Sequence, residues 1–292
     1  MSEKIRISRH DLHRDGRCPT VELWRNAGAG VILFYPGSML SPFQYRPLLT
    51  ALYESGFAVA ALHLTGHGLS LHSGSFTFND LLNDGLDAER WLRGLGYEAI
   101  TVAGHSQGGI LTLAHAAVSQ GLTAAFPVCG VLPQQKESIE LTLFRPYTEK
   151  RDRLLRIISS LAARIPWLPV PLVAYLSLVR LLSGARKKVS SSRKVRWTYP
   201  LRYLASLFNA RISPQMNCPV YFFSAVNDAV FTPELTVKTF GLLQASRKKL
   251  FWLPGGGHTA AMHPPFCRYI AATAASLCAG LGLNLSTKHA EQ

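Results

Sequence analysis

Acidic residues are scarce in this 292-residue chain: 17 Asp and Glu stand against 31 Lys and Arg, a formal net charge of +14. Charged residues make up only 16% of the sequence, below the roughly 25% usual in soluble domains. Hydrophobic residues reach 48%, which excludes a disordered chain and allows a large core. Cysteine is sparse too. Cys18, Cys129, Cys218, Cys267 and Cys278 are odd in number and widely spaced, with no CxxC pair. That excludes a disulfide framework or a zinc site as the organising device and predicts reduced thiols. The longest membrane-span candidate, Ile165–Val179, has 15 residues and three prolines, whereas a span needs about 20 residues and few breaks. The opening "MSEKIRISRHDLHRDG" is polar and lacks the apolar stretch of a secretory signal. A cytoplasmic protein, at most peripheral to a membrane, is the expectation. Internal repeats, nucleic-acid-binding motifs and low-complexity tracts beyond "RKKVSSSRKVR" are absent.

What is present is a strand–helix rhythm. "KIRISRH" and "TVELWRNA" alternate apolar and polar residues as half-buried strands do. "GVILFYPG" (Gly30–Gly37) and "FAVAALHL" are continuous apolar runs, the mark of strands buried on both faces. Helical spacing follows in "PFQYRPLLTALYESG" and "FNDLLNDGLDAERWLRGLG", each closed by glycine. "AITVAG", "QGGILTLAHAAVSQG" and "TAAFPVCGV" continue as strand, helix, strand. The alternation predicts a mainly parallel sheet with helices on both faces, and the opening pair an antiparallel edge.

The rhythm stops from about Leu132 to Asn217, where helical patterns, prolines and basic clusters replace buried strands. It resumes with "CPVYFFSAV", "PELTVKTFGLLQAS", "KKLFWLPG" and "HPPFCRYIAATAASLCAGLG". Residues 132–217 therefore read as an insertion into one α/β unit formed by 1–131 and 218–292. Nearly all the excess charge lies there: 15 Lys and Arg against Glu149 and Asp152 between Arg145 and Arg211. A run this lopsided points to an anionic partner. "RLLRIISSLAARI" (Arg153–Ile165) sets basic residues among aliphatics at helical spacing, an interfacial pattern. "RIPWLPVPLVAYLSLVR" reads as a helix pair covering the site, and "RKK" (Arg186–Lys188) and "RKVR" (Arg193–Arg196) as cations steering an anionic lipid, an acidic acyl carrier or an anionic substrate.

"AGHSQGGI" (Ala103–Ile110) lies between the buried strand "AITVAG" and an apolar helix. A strand-to-helix bend strains the backbone of Ser106 and crowds residues two before and two after, which Gly104 and Gly108 relieve. The bend also puts Ser106 at a helix N-terminus, where developing negative charge is favoured. A serine needs a base, and the base an orienting acid. Between Asp152 and His258 the acids are Asp228 and Glu234. Glu234 follows Thr232, an N-cap, and Pro233, the first helical position, so it is accounted for as a helix-dipole partner. Asp228 follows a buried strand, at the end where sites assemble. His258 lies in the glycine-rich loop "LPGGGHTAAM", whose glycines make a mobile bearing for the base. His263 reads as structural at a helix start, His115 as packed in its helix, His289 as tail, and His105 as a wall rather than a base. Met39, His105 and Val230 are the candidate pocket residues.

The order Ser106, Asp228, His258, each at a strand end, resembles the α/β-hydrolase fold, in particular the serine hydrolases that include monoacylglycerol lipases, lysophospholipases and carboxylesterases. The resemblance covers about Gly30–Val131 and Cys218–Leu281, and includes "TGHGLS" (Thr65–Ser70), which matches the family's Gly-His-Gly-x-Ser loop. It departs from the pattern at His63, where the family has Asp, and at Pro36-Gly37, where the family has His-Gly. The resemblance implies a mostly parallel eight-stranded sheet with a helical cap inserted after the sixth strand, the position of residues 132–217. It implies oxyanion donors at the backbone N–H groups of Ser38 and Gln107, with Met39 the alternative if the loop shifts by one. It implies cleavage of a carboxylic ester with an apolar acyl chain through an acyl-enzyme, with neither metal nor organic cofactor. Acyl thioesters or acyl transfer remain open as the alternative chemistry, perhydrolysis as a further one, and a non-catalytic membrane- or protein-binding scaffold as a reading of another class.

Overall fold

A computed structural model of the chain describes residues 5–28, 30–70, 75–141, 144–171, 195–283 and 285. In chain order the strands are β1 (Ile7–Asp11), β2 (Thr20–Trp24), β3 (Gly30–Tyr35), β4 (Ala58–His63), β5 (Ala99–His105), β6 (Ala124–Val128), β7 (Pro169–Pro171), β8 (Thr198–Pro200), β9 (Val220–Ala225) and β10 (Lys248–Leu253). Eight of them form one sheet in the order β1-β2-β4-β3-β5-β6-β9-β10. Only β2 opposes its neighbours; all other pairs from β4 onwards are parallel. The antiparallel edge expected from the two alternating segments is there.

Helices α1 (Arg46–Glu54), α2 (Phe78–Gly94), α3 (Gln107–Val118), α4 (Arg151–Arg164), α5 (Leu201–Asn209), α6 (Pro233–Leu242) and α7 (Pro264–Ala279) make the connections. α1 packs on α7, and α2 on α3. Strands β3, β4 and β9 are buried from end to end, as their unbroken apolar runs require. Thr77 caps α2 in a reciprocal box with Asp80, and Thr232 caps α6 ahead of Pro233, so local sequence starts both helices.

β2 corrects one expectation. Its alternation predicts a half-buried strand, yet all five residues are buried. The polar member, Glu22, is covered because cations come to it. Arg9 Nε lies 3.0 Å from one carboxylate oxygen and an Arg46 Nη 2.6 Å from the other. Burial alone would raise the Glu22 pKa, but His63 and the two arginines hold it at about 2.

The insertion between β6 and β9 contains α4 and α5, which pack together through Ala162, Leu201 and Ala205, with Ile158 against them. It also contains strand, contrary to expectation. β7 pairs antiparallel with β8 in a two-stranded sheet and buries Tyr199 and Pro200. Proline explains the difference: its fixed φ suits extended chain and lacks a donor, which a three-residue ribbon tolerates. The helix pair expected over residues 164–180 is therefore not formed at 169–171, and residues 172–180 lie outside the described residues. So do the basic cluster Arg186–Lys188 and two members of the next, Arg193 and Lys194. Arg196, the last member, is not a free steering cation. Its guanidinium donates to the carbonyls of Gly66 (2.6 Å) and Thr198 (2.8 Å) and stacks 4.8 Å from the Phe76 ring centre.

The sheet presents its features at the carboxyl ends of the parallel strands. β5 ends at His105 and α3 starts at Gln107, so a single residue, Ser106, makes the whole bend. Ser106 takes φ +57° and ψ −117°, a backbone conformation that costs a non-glycine residue about 1–3 kcal/mol. Its N–H donates to Val128 C=O on β6 at 2.9 Å. The bend closes because its flanks have no side chains. A Cβ at Gly104 would sit 2.4 Å from the Gly108 carbonyl oxygen, and one at Gly108 would sit 2.1 Å from that of Tyr35.

Two outcomes follow from this packing. Gly108→Ala forces α3 away from β3, and lowers the thermal midpoint by several degrees, read by circular dichroism, or prevents folding; an unchanged midpoint contradicts the contact. For Glu22 the folded pKa lies below its ordinary 4.5, so its contribution is present above about pH 4.5 and lost as pH falls towards 2. That contribution is about 3 kcal/mol for a shift of this size. The stability gap between the wild type and Glu22→Gln, measured by urea denaturation, is expected to shrink over that window.

Candidate active site

Three side chains from three strand ends meet above the sheet. Ser106 stands on the bend after β5, Asp228 three residues past β9, and His258 five residues past β10. Ser106 Oγ lies 2.9 Å from His258 Nε2. His258 Nδ1 lies 2.9 Å from one Asp228 oxygen and 3.1 Å from the other. The carboxylate accepts but cannot donate, so Nδ1 carries the proton and Nε2 faces the serine as the acceptor.

Asp228 is buried, with 3% of its surface exposed. Desolvation would raise its pKa. The charge and hydrogen bond of His258, together with backbone N–H donors from Phe231 and Val230 at 2.8 Å each, outweigh that and hold it below the usual carboxylate value. Burial, with the Asp228 charge beside it, pushes the Cys129 thiol well above its ordinary range, so the thiol stays protonated. Cys129 was invisible as a site residue in the sequence, where it reads as one more core cysteine. Its place immediately after β6, in the left-handed region at φ +49°, has no local signal.

The loop of His258 is tied down rather than free. Asn227 N–H donates to Gly256 C=O at 2.9 Å, and Ala260 N–H to Gly257 C=O at 2.9 Å. The His258 carbonyl accepts from His105 Nε2 at 2.6 Å, and the Phe231 ring meets the His258 ring edge-on at 5.3 Å. The glycines serve the sharp path of the chain, with Gly255 at φ +71°, and do not act as a bearing.

Ser38 and Gln107 flank the serine. Gln107 opens α3, so its N–H has no partner within the helix. Ser38 Oγ donates to Gln107 Oε1 at 2.7 Å, which ties the two residues together. The Ser38 N–H has no hydrogen-bond partner among the described residues. Met39 N–H, the alternative donor, is committed to the Tyr199 hydroxyl at 2.7 Å, so a register shift is not needed and that alternative falls.

Of the pocket candidates, Met39 and Val230 are buried beside the loops described, at 5% and 7% exposure. His105 is buried and both ring nitrogens are used internally, on Tyr45 and on the His258 carbonyl, so it offers no polar group to a ligand. His115 is packed between Tyr35 and Glu89, and His263 stands at the N-terminal boundary of α7 with its ring 3.3 Å from the Thr259 hydroxyl, each as its sequence position suggests. His289 lies outside the described residues. His105, Cys129 and His258 bring metal-ligating atoms within 4.8 Å of one another. The four imidazole nitrogens already serve hydrogen bonds to Asp228, Ser106, Tyr45 and a backbone carbonyl, and burial keeps the Cys129 thiol protonated, so the group is accounted for without an ion. No helix among the described residues is long and apolar enough to cross a membrane.

Comparison with known proteins agrees with this architecture. No curated protein matches the sequence at a significant level. Among solved structures, the monoacylglycerol lipase of Paleococcus ferrophilus is 16% identical, with a TM-score of 0.70 over 95% of this chain and 100% of that one. A soluble variant of the monoglyceride lipase of Saccharomyces cerevisiae, in complex with a substrate analogue, is 15% identical, with a TM-score of 0.73 over 96% and 98%. Est1E of Butyrivibrio proteoclasticus, with ferulic acid bound, is 16% identical, with a TM-score of 0.67 over 93% and 98%. Identities this low establish a shared fold. The family model for alpha/beta hydrolases matches residues 31–271, most of the chain, and the chain belongs to the alpha/beta hydrolase family.

Proposed function

We propose that the protein is a serine hydrolase that cleaves a carboxylic ester with an apolar acyl chain. The observation that carries this reading is the unbroken path Ser106 Oγ, His258 Nε2, His258 Nδ1, Asp228, with both hydrogen bonds at 2.9 Å. His258 Nε2 takes the Ser106 proton as Oγ attacks the ester carbonyl carbon. The carbonyl π electrons move to oxygen, and the N–H groups of Ser38 and Gln107 stabilise that oxyanion. The imidazolium, held by the ionised Asp228, passes its proton to the departing alcohol as the C–O bond breaks. Water then gives a proton to His258 and attacks the acyl-serine. The second tetrahedral intermediate collapses to release the acid and restore the serine.

The insertion supplies the second element, in which residues 132–217 act as a cap over the site. On α4 the exposed residues Arg153, Ile157, Leu161 and Arg164 recur at helical spacing. Elsewhere in the insertion Trp167 is 67% exposed and Trp197 52%. Cations beside exposed aliphatics and indoles suit the headgroup region of an anionic bilayer, where indole rings are favoured and basic residues are attracted. This supports a peripheral association that brings a lipid ester to the site.

Ser106→Ala is expected to lower turnover of a p-nitrophenyl acyl ester by about 10⁴-fold or more, and Asp228→Asn by about 10⁴-fold, each with an unchanged circular dichroism spectrum. Activity within tenfold of the wild type in Ser106→Ala rejects the reading. Trp167→Ala combined with Trp197→Ala is expected to reduce cosedimentation with phosphatidylserine-containing vesicles while leaving turnover of a water-soluble ester unchanged. Equal cosedimentation rejects the membrane contact.

A further inference from the structure

The loop that carries Ser38 is gripped on both sides by the same device. On one side, Gly37 N–H donates to the Tyr45 hydroxyl at 3.0 Å, and Tyr45 lies 2.7 Å from His105 Nδ1. His105 Nε2 faces the His258 carbonyl at 2.6 Å. A carbonyl only accepts, so Nε2 carries the proton, Nδ1 is the acceptor, and the Tyr45 O–H points at it. On the other side, Met39 N–H donates to the Tyr199 hydroxyl at 2.7 Å, and Tyr199 lies 2.8 Å from His67 Nε2. His67 Nδ1 faces the Thr65 carbonyl at 3.0 Å. By the same reasoning Nδ1 carries the proton and Nε2 accepts from Tyr199. Desolvation holds both imidazoles at a pKa of about 3, so each is neutral and keeps one donor and one acceptor.

The grip has something to resist. Met39 sits at φ +68°, a left-handed conformation that is strained for a residue with a side chain. Its carbonyl is held as well, by Arg196 N–H at 2.9 Å. Arg196 and Tyr199 belong to the insertion, whereas Met39 follows β3. His67 is in turn anchored from α2. The Asp84 carboxylate accepts the Thr65 N–H at 2.7 Å and the Thr65 hydroxyl at 3.0 Å. The residue between the two held amides is Ser38.

We propose that two phenol–imidazole pairs, Tyr45–His105 and Tyr199–His67, are positioning residues that aim the Ser38 N–H at the oxyanion. The second pair makes the donor's geometry depend on the insertion. This rests on the hydrolase reading above. It assigns the His of "TGHGLS" to the aiming of a phenol and gives the insertion a part in transition-state stabilisation. His105, beside the nucleophile, couples the same loop to the backbone of the general base. His105 also sets its ring 5.0 Å, centre to centre, from the His258 ring.

The experiment compares Tyr45→Phe and Tyr199→Phe with the wild type on a short-chain p-nitrophenyl ester and on a trifluoromethyl ketone, which forms a tetrahedral adduct with the serine. A loop displaced by a fraction of an ångström is expected to lower kcat about 10- to 100-fold with KM within about twofold. Affinity for the ketone is expected to fall by the same factor as kcat. A purely structural role lowers the thermal midpoint without that parallel loss. His67→Ala leaves the phenol in place but unaimed, and is expected to give a smaller loss of the same kind; it serves as the readout should a phenylalanine variant not fold. Folded variants with wild-type kcat, or with reduced kcat and unchanged ketone affinity, overturn the proposal. Failure of the underlying reading looks different: there Ser106→Ala and the wild type turn over the ester equally.

Discussion

The close approach of α3 to β3 at Gly108 is the contact on which the rest of the structure depends. With a hydrogen in place of a Cβ, the helix backbone comes against the Tyr35 carbonyl. That closeness lets one residue turn the chain from strand to helix. It also delivers three chemical assets together: a serine hydroxyl clear of the sheet, a helix N-terminus beneath it, and a free N–H on Gln107. The strain at Ser106 is carried by its hydrogen bond to Val128 and by the packing of the flanking glycines. A bulkier residue at either glycine loses all three assets at once.

Around this bend, buried polar groups are placed so that each protonation state follows from its partners. Asp228 receives two backbone N–H groups and an imidazole, and stays ionised despite burial. His105 and His67 each face a carbonyl with one nitrogen and a phenol with the other, and stay neutral. Asp84 shows the opposite balance. Desolvation outweighs Arg17 and Thr65 there and raises its pKa to about 6, although Arg17 Nη1 lies 2.7 Å away. Deep burial with backbone donors and a charged partner does not always leave a carboxylate acidic. The margin at Asp228 comes from the partner facing it, His258.

The insertion contributes in a way its composition does not advertise. Its charge suggests a surface facing anions, and exposed Arg153, Arg156 and Arg164 on α4 keep that character. Arg196, from the same basic stretch, is turned inward instead, laid on Phe76 and bonded to backbone carbonyls. Tyr199 is fully buried against His67, Phe76 and Tyr203. Two residues of the insertion, Arg196 and Tyr199, are therefore hydrogen-bonded to the loop carrying Ser38.

Read alone, the chain was enough to establish the alternation of strands and helices, the antiparallel edge and the candidacy of Ser106, Asp228 and His258. Each of these depends on neighbours in sequence: an apolar run, a glycine two residues away, a cap, the scarcity of acids between residues 152 and 258. The burial of Glu22, the ribbon of β7 and β8, the inward turn of Arg196, the approach of Cys129 to His105 and His258 and the two phenol–imidazole pairs were decided only by the tertiary structure. All of them are meetings of residues far apart in the chain, such as Met39 with Tyr199 or His105 with His258. Periodicity and local spacing hold no record of such distances, because a hydrogen bond depends on position in space to a few tenths of an ångström and on nothing in the order of residues.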